Sequence, residues 1–116
     1  MHGHSRWLRW TPGRQGTGYE KLPLFEFLFC DLYLLRYTPG AHVPRHQDPV
    51  DGRRHYRANL EIRRARLGGH FGCDGPLLQL GRLSLFRSDL TPHWVTPVEA
   101  GTRYVLSFGV ALPNSR

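Results

Sequence analysis

An antiparallel β fold, either a sandwich or a jelly roll, is predicted for these 116 residues by three features of the chain. Short runs rich in aromatic, Leu and Val residues recur along it: LFEFLFCDLYLLRY, HYRANLEIR, GGHFGC, RLSLFR and TRYVLSFGVAL. Turn chemistry separates them, in TPG, DPVDG, GG, CDGP, TPH and VEAG. No stretch combines helical spacing with capping residues over about twelve positions, apart from a short candidate helix before Leu24.

Taken in order, residues 1–20 are rich in Gly, Arg and His without periodicity and read as a loose lead-in to a single folded domain over 21–116. His2 and His4 lie in that lead-in, where an HGH run is expected to be unstructured rather than a metal site. In DLYLLRY, alternation places Tyr33, Leu35 and Tyr37 on one face. In HYRANLEIR, the polar Arg57, Asn59 and Glu61 alternate with Ala58, Leu60 and Ile62, so one face is apolar and the other is free to line a cavity or meet solvent. In TRYVLSFGVAL, Tyr104, Leu106, Phe108 and Val110 read as a core stripe, which leaves Arg103, Val105, Ser107 and Gly109 on the opposite face.

Composition bounds the function. Apolar residues make up 40% of the chain, which is globular rather than disordered. No apolar run approaches the ~20 residues that cross a bilayer, and MHGHSRWLRWTPGRQGTG has no apolar stretch of the secretory kind, so a cytoplasmic protein is expected. Sixteen basic against nine acidic residues give a formal charge of +7, and Lys21 is the only lysine. Such a charge favours anionic partners, nucleic acid among them, although solvated Arg on a small β protein needs no partner. Six arginines crowd into residues 53–66, either as a docking patch for an acidic partner or as a charged face that resists edge aggregation. Cys30 and Cys73 are too few for a disulfide scaffold and are expected reduced and mostly buried.

The chemistry gathers at three places. His46 and Asp48 in PRHQDP are two apart, so an extended backbone projects both from one face, and imidazole plus carboxylate suits a borderline divalent metal. The candidate third ligand is His93, 47 residues further on, where Pro92 and Pro97 mark a strand edge. Two His and one carboxylate leave three open positions, the arrangement non-haem Fe(II) oxygenases use for a cosubstrate and O₂. Ten residues after His93, Arg103 stands at the end of a lane of small side chains, a slot with a guanidinium able to receive a carboxylate in a two-pronged pair. His42, His55 and His70 have no partner at i+2 with ligand character, and Trp94 either flanks a substrate mouth or packs.

These residues resemble the 2-oxoglutarate- and Fe(II)-dependent oxygenases over about residues 32–112. The family's His-x-Asp, distal His and following basic residue match His46, Asp48, His93 and Arg103. RYTPGAHVPRHQD looks like the lead-in shared by AlkB-type demethylases and prolyl hydroxylases, with Tyr37 nine residues before the first metal His. GGHF resembles the Gly-Gly turn that opens a later strand of that fold, and LFRSDLTPHWVTPVEAGTRYVLSF resembles the prolyl hydroxylase segment carrying the distal His and the cosubstrate Arg. GAHVPRHQDP followed by RANL is similar to the aspartyl/asparaginyl hydroxylases, with Asn59 in place of their cosubstrate-binding His.

The resemblance implies a double-stranded β-helix, a distorted jelly roll, with Fe(II) on His46, Asp48 and His93. It implies 2-oxoglutarate and O₂ as cosubstrates, the distal carboxylate held by Arg103 and Tyr37, with Asn59 and Ser107 as further contacts. The expected outcome is hydroxylation of a C–H bond in a protein, peptide or small-molecule substrate such as an amino acid, with succinate and CO₂ as products. Nucleic-acid demethylation of the AlkB type is the alternative, set against the Gly109 that stands where those enzymes carry a second arginine. A non-catalytic metal-binding subunit, or a homodimer covering exposed sheet, is motivated by the short lead-in. A zinc hydrolase is disfavoured because the sequence places no spare Glu or His beside the triad.

Overall fold

The computed structural model describes residues 9–13, 15–49 and 52–113. Every regular element among them is a strand: β1 (Thr11–Pro12), β2 (Glu20–Phe27), β3 (Cys30–Tyr37), β4 (Val43–His46), β5 (Arg53–Arg63), β6 (Leu67–Gly68), β7 (Phe71–Cys73), β8 (Leu78–Leu80), β9 (Leu83–Arg87), β10 (His93–Val95), β11 (Val98–Ala100) and β12 (Arg103–Pro113). All pairings are antiparallel. A seven-stranded sheet runs β1-β2-β3-β12-β5-β9-β8, a three-stranded sheet runs β4-β10-β7, and β11 pairs with β6. The all-β jelly roll expected from the runs and turns is what forms. No helix among the described residues is long and apolar enough to cross a membrane.

Several local expectations are corrected. The candidate helix before Leu24 is β2, because Leu22 and Phe25 pair across to Leu34 and Leu32 and sheet contacts override the local signal. The lead-in is not wholly loose: Thr11 pairs with Lys21, and the Tyr19 ring stacks on Tyr37 with centroids 5.1 Å apart. His2 and His4 lie outside the described residues. The long run LFEFLFCDLYLLRY is two strands, broken at Leu28, whose φ of 52° lies in a region that glycine usually fills. Strand β8 (Leu78–Leu80), which follows the CDGP turn, is not among the expected runs and is only three residues long. Cys30 and Cys73 are free but only half-buried.

The largest correction concerns β12. Arg103, Val105, Ser107 and Gly109 form its buried face, whereas Tyr104, Leu106 and Val110 are half-buried and Phe108 is 44% exposed. The face read as core stripe is the outer one. Register carries this inversion across the sheet, since directly paired residues share a face. Opposite Arg103, Val105 and Ser107 stand Tyr37, Leu35 and Tyr33 of β3, and opposite Ser107 on the other side stands Asn59 of β5. The inner face therefore meets the three-stranded sheet, and a small cluster of Tyr37, Ala41, Val43, Val95, Val98 and Val105 closes one part of the space between them.

The Gly-Gly turn forms as the pattern suggested. Gly68 and Gly69 both have positive φ, and a Cβ on Gly68 would meet the Pro97 carbonyl oxygen at 2.3 Å, so the turn to β7 tolerates no side chain there.

Candidate metal centre

The two imidazoles meet because β4 and β10 pair in a register that sets His46 directly opposite His93. His93 opens β10, the middle strand of its sheet rather than an edge strand, with Pro92 and Pro97 just outside its ends. Asp48 follows β4 in a loop pinned by its own backbone N–H, which donates to the Ser88 carbonyl at 2.8 Å. One Asp48 carboxylate oxygen lies 3.3 Å from His46 Nε2 and 3.3 Å from His93 Nε2, and the three ligand atoms all lie within 4.8 Å of one another.

The donor set fits a divalent metal for a reason visible in the hydrogen bonds. His46 Nδ1 lies 2.7 Å from the Pro44 carbonyl oxygen and His93 Nδ1 lies 2.8 Å from that of Thr91. A carbonyl can only accept, so each Nδ1 carries a proton, which leaves Nε2, the nitrogen on the Asp48 side of each ring, as the atom able to ligate a metal. Backbone orienters of this kind fix tautomer and ring direction at metal sites. Phe86, fully buried, packs against His93 at 4.9 Å between centroids and against Phe71 at 5.2 Å, which holds the ring from behind.

The triad lies in a cavity of about 240 Å³ whose wall includes Tyr37, His55, Arg57, Asn59, Trp94, Arg103 and Ser107. Every candidate site residue read from the sequence borders this one space. Arg103 is 3% exposed, and its Nε donates to Glu61 at 2.6 Å while its guanidinium lies 4.9 Å from the Tyr37 ring centroid. The anionic partner that a buried arginine requires is thus supplied from within the chain. Burial raises the Tyr37 hydroxyl above its ordinary range, so it is protonated at neutral pH. Ser107 donates to Asn59 at 2.6 Å and accepts from Arg57 at 2.8 Å, and Arg57 also grips the Asp31 carboxylate at 2.9 and 3.1 Å.

Gly109 leaves no empty slot: a Cβ there would stand 2.2 Å from Arg57 Nη2, so the guanidinium of β5 fills the space beside the glycine. The arginine cluster is accordingly no single patch. Arg57 faces the cavity, Arg53 lies over the Phe29 ring at 3.5 Å, and Arg64 reaches Glu61 at 3.5 Å. A second cavity of about 390 Å³, bordered by Arg64, His70 and Arg82, shares Asn59, Phe71 and Arg103 with the first.

Sequence reasoning named His55 as a histidine without ligand character and gave it no place at the site; the claim that no spare histidine stands by the triad is corrected by its position in the cavity wall. It hydrogen-bonds Ser88 Oγ through Nδ1, and burial, then Arg57, lowers its pKa. The signal was present, because residues 55, 57, 59 and 61 share parity on one strand. Glu61 as the partner of Arg103 had no comparable signal; it requires the β5–β12 register and the irregularity between Tyr104 and Val105.

No family model matches the chain, and no curated protein matches it. Solved structures do. A prolyl-4-hydroxylase from Pseudomonas putida aligns with a TM-score of 0.58 and 26% identity over 74% of this chain, which spans 54% of that protein's length. A viral collagen prolyl hydroxylase from Paramecium bursaria Chlorella virus 1, solved as a 2-oxoglutarate complex, aligns with a TM-score of 0.53 and 18% identity, covering 76% of this chain and 61% of that one. An RmlC-like cupin from Desulfovibrio desulfuricans aligns with a TM-score of 0.51 and 17% identity over 92% of this chain and 95% of that one. The fold is a cupin-type jelly roll.

Proposed function

We propose that the protein is a 2-oxoglutarate- and Fe(II)-dependent dioxygenase that hydroxylates a C–H bond of a protein, peptide or amino-acid substrate. The observation that carries this reading is the convergence of His46, Asp48 and His93 with their ligand atoms facing one another, in a cavity whose wall also holds the buried Arg103 and the half-buried Arg57. Similarity to the Pseudomonas prolyl-4-hydroxylase supports it.

His46, Asp48 and His93 would hold Fe(II), which supplies oxidative decarboxylation of 2-oxoglutarate coupled to use of O₂. The chain's own residues do the rest. The Pro44 and Thr91 carbonyls keep both imidazoles in the ligating tautomer. Arg103 offers its guanidinium to the far carboxylate, and Glu61 gives way to it, since its other oxygen is already turned to Arg64. Tyr37, Asn59 and Ser107 supply neutral polar contacts, and Val95, Val105 and Phe86 keep that part of the cavity dry. The adjoining cavity gives the substrate room beside Asn59.

A second reading, oxidative demethylation of nucleic acid, is favoured by Arg57. Its guanidinium occupies the space beside Gly109 and so supplies from β5 the second arginine that position 109 lacks.

The test is succinate formation from 2-oxoglutarate with Fe(II), in wild type and Asp48→Ala, with methylated single-stranded DNA and proline- or asparagine-containing peptides as substrates. Wild type is expected to turn over with peptide and the variant to lose at least about 100-fold, since removing a ligand costs more than removing a ligand's orienter. Stimulation by DNA alone selects the second reading. Equal turnover in both proteins rejects the triad, and tight metal binding with no succinate leaves a metal-binding cupin.

A further inference from the structure

We propose that the outer face of the seven-stranded sheet is an interface between two copies of this chain. The face is apolar along its whole width. From β2 to β8 it presents two rows in register, Phe25–Leu32–Phe108–Ala58–Leu85–Leu78 and Leu22–Leu34–Leu106–Leu60–Leu83–Leu80, and Phe25, Phe108, Leu60 and Leu80 are 44%, 44%, 43% and 62% exposed. Among the described residues Trp10 covers its border at Arg36, with the guanidinium 3.9 Å from the ring centroid, while Leu78 in the centre-to-edge row is 41% exposed.

Size favours a stable association. Seven strands spaced ~4.8 Å apart make a face ~30 Å wide, and five or six residues of each central strand add ~18 Å, a footprint on the order of 500–600 Å² before side-chain relief is counted. That is the upper end of what a monomer leaves open and approaches the ~800 Å² each partner contributes to a standard interface.

Self-association is selected over a polar partner by symmetry and charge. β12 is the fourth of seven strands, so the apolar field is centred on Phe108, and a two-fold axis beside it sets each copy's β12 over the other's. An isologous contact requires such a self-complementary patch. Two chains of charge +7 repel, yet two of the arginines bordering this face are already neutralised, Arg36 by Glu20 at 2.8 Å and Arg87 by Asp89 at 2.7 Å, and a third, Arg54, donates to the Pro113 carbonyl at the end of the sheet. The product is two sheets packed face to face ~10 Å apart, as in a sandwich. The metal-centre cavity lies on the opposite side of the sheet and stays open, so this inference is independent of the reaction assigned to the triad.

The decisive measurement is molar mass by light scattering and sedimentation equilibrium between about 1 and 100 µM. Wild type is expected at twice the chain mass. Phe108→Lys and, on the edge strand, Leu80→Lys are expected to weaken the dimer at least tenfold while Co(II) binding at the triad is unchanged. Should Phe108→Lys fail to fold, Phe108→Thr keeps a strand-forming side chain and is expected to weaken the dimer in the same direction. A wild-type monomer at 100 µM overturns the proposal, including one that instead takes up another protein on this face. So does a dimer that both lysine variants leave intact.

Discussion

The two faces of the seven-stranded sheet carry chemistry opposite to their exposure. On the inner face Ser84, Arg103 and Ser107 are 5%, 3% and 1% exposed, while on the outer face Phe25, Phe27, Leu60 and Phe108 stand in solvent. Burial of apolar groups is a one-way tendency, and a two-layer molecule whose interlayer space holds a cluster of two imidazoles and a carboxylate must line that space with polar side chains. Those groups are buried at no net loss only where each has a partner. The inner face is therefore specified by individual bonds, Arg103 to Glu61, Arg57 to Asp31 and Ser107 to Asn59, and the centre of the outer face by apolar area, with ion pairs only at its border.

A direct way to break that comparison is to delete one large ring from each side. Phe86→Ala removes a fully buried ring wedged between Phe71 and His93 and is expected to cost about 3–5 kcal/mol in unfolding free energy. Phe108→Ala, measured in protein dilute enough to be monomeric, is expected to cost about 1 kcal/mol or less. Urea titration of both variants checks this, and equal losses would mean that the outer face is packed in the monomer.

The inner face is next probed through its buried ion pair. Glu61→Gln leaves the Arg103 guanidinium without its carboxylate and is expected to destabilise the ligand-free protein by about 2–4 kcal/mol. The same change opens the guanidinium to a ligand carboxylate. Titration calorimetry should then show 2-oxoglutarate binding about tenfold tighter in the variant than in wild type, and added 2-oxoglutarate should raise its melting temperature by more. Unaltered affinity would show that Arg103 is a structural cation only.

How much of this contrast was readable beforehand depends on what sets each feature. The triad was legible because His46 and Asp48 are two apart and because His93 precedes Arg103 by ten residues, a spacing the backbone preserves. The faces of β12 were divided correctly, since alternation is geometric, but assigned the wrong way round. Alternation fixes which residues share a face and not which face is covered; the rule that apolar means buried then chose wrongly for Leu106 and Phe108. The break at Leu28 carries none of the Gly, Pro, Asn or Asp chemistry that marks a turn, and the Arg103–Glu61 pair depends on long-range strand register, which no local pattern encodes.

Titration separates the faces more gently, because, of the two groups shifted below neutrality, His55 borders the interlayer cavity and Asp89 is paired with Arg87 at the border of the outer face. Burial lowers the His55 pKa, so the folded chain resists a proton that the unfolded chain accepts below about pH 6.5. Stability conferred by neutral His55 is therefore complete above that pH and falls as the solution is acidified. The hydrogen bonds from Arg87 hold the Asp89 carboxyl below its ordinary range, adding stability that is present above about pH 4 and lost below it. Melting temperature of the metal-free protein should decline in two windows on acidification, and His55→Gln should abolish only the upper one.

The smallest expected effect lies at the tip of the β2–β3 hairpin, beyond both faces. Leu28 is 79% exposed and holds a φ of 52° with no packing to compensate for the crowding of its Cβ. Glycine adopts that conformation freely, although it also gains more freedom in the unfolded chain. The left-handed strain is the larger of the two, so Leu28→Gly is expected to stabilise the protein by up to about 1 kcal/mol. Leu28→Ala keeps the Cβ and removes only the exposed apolar atoms, and it should leave stability within about 0.5 kcal/mol of wild type. A stabilising Ala variant would trace the effect to the exposed side chain instead of the backbone, and would extend the outer face's apolar character to the hairpin tip.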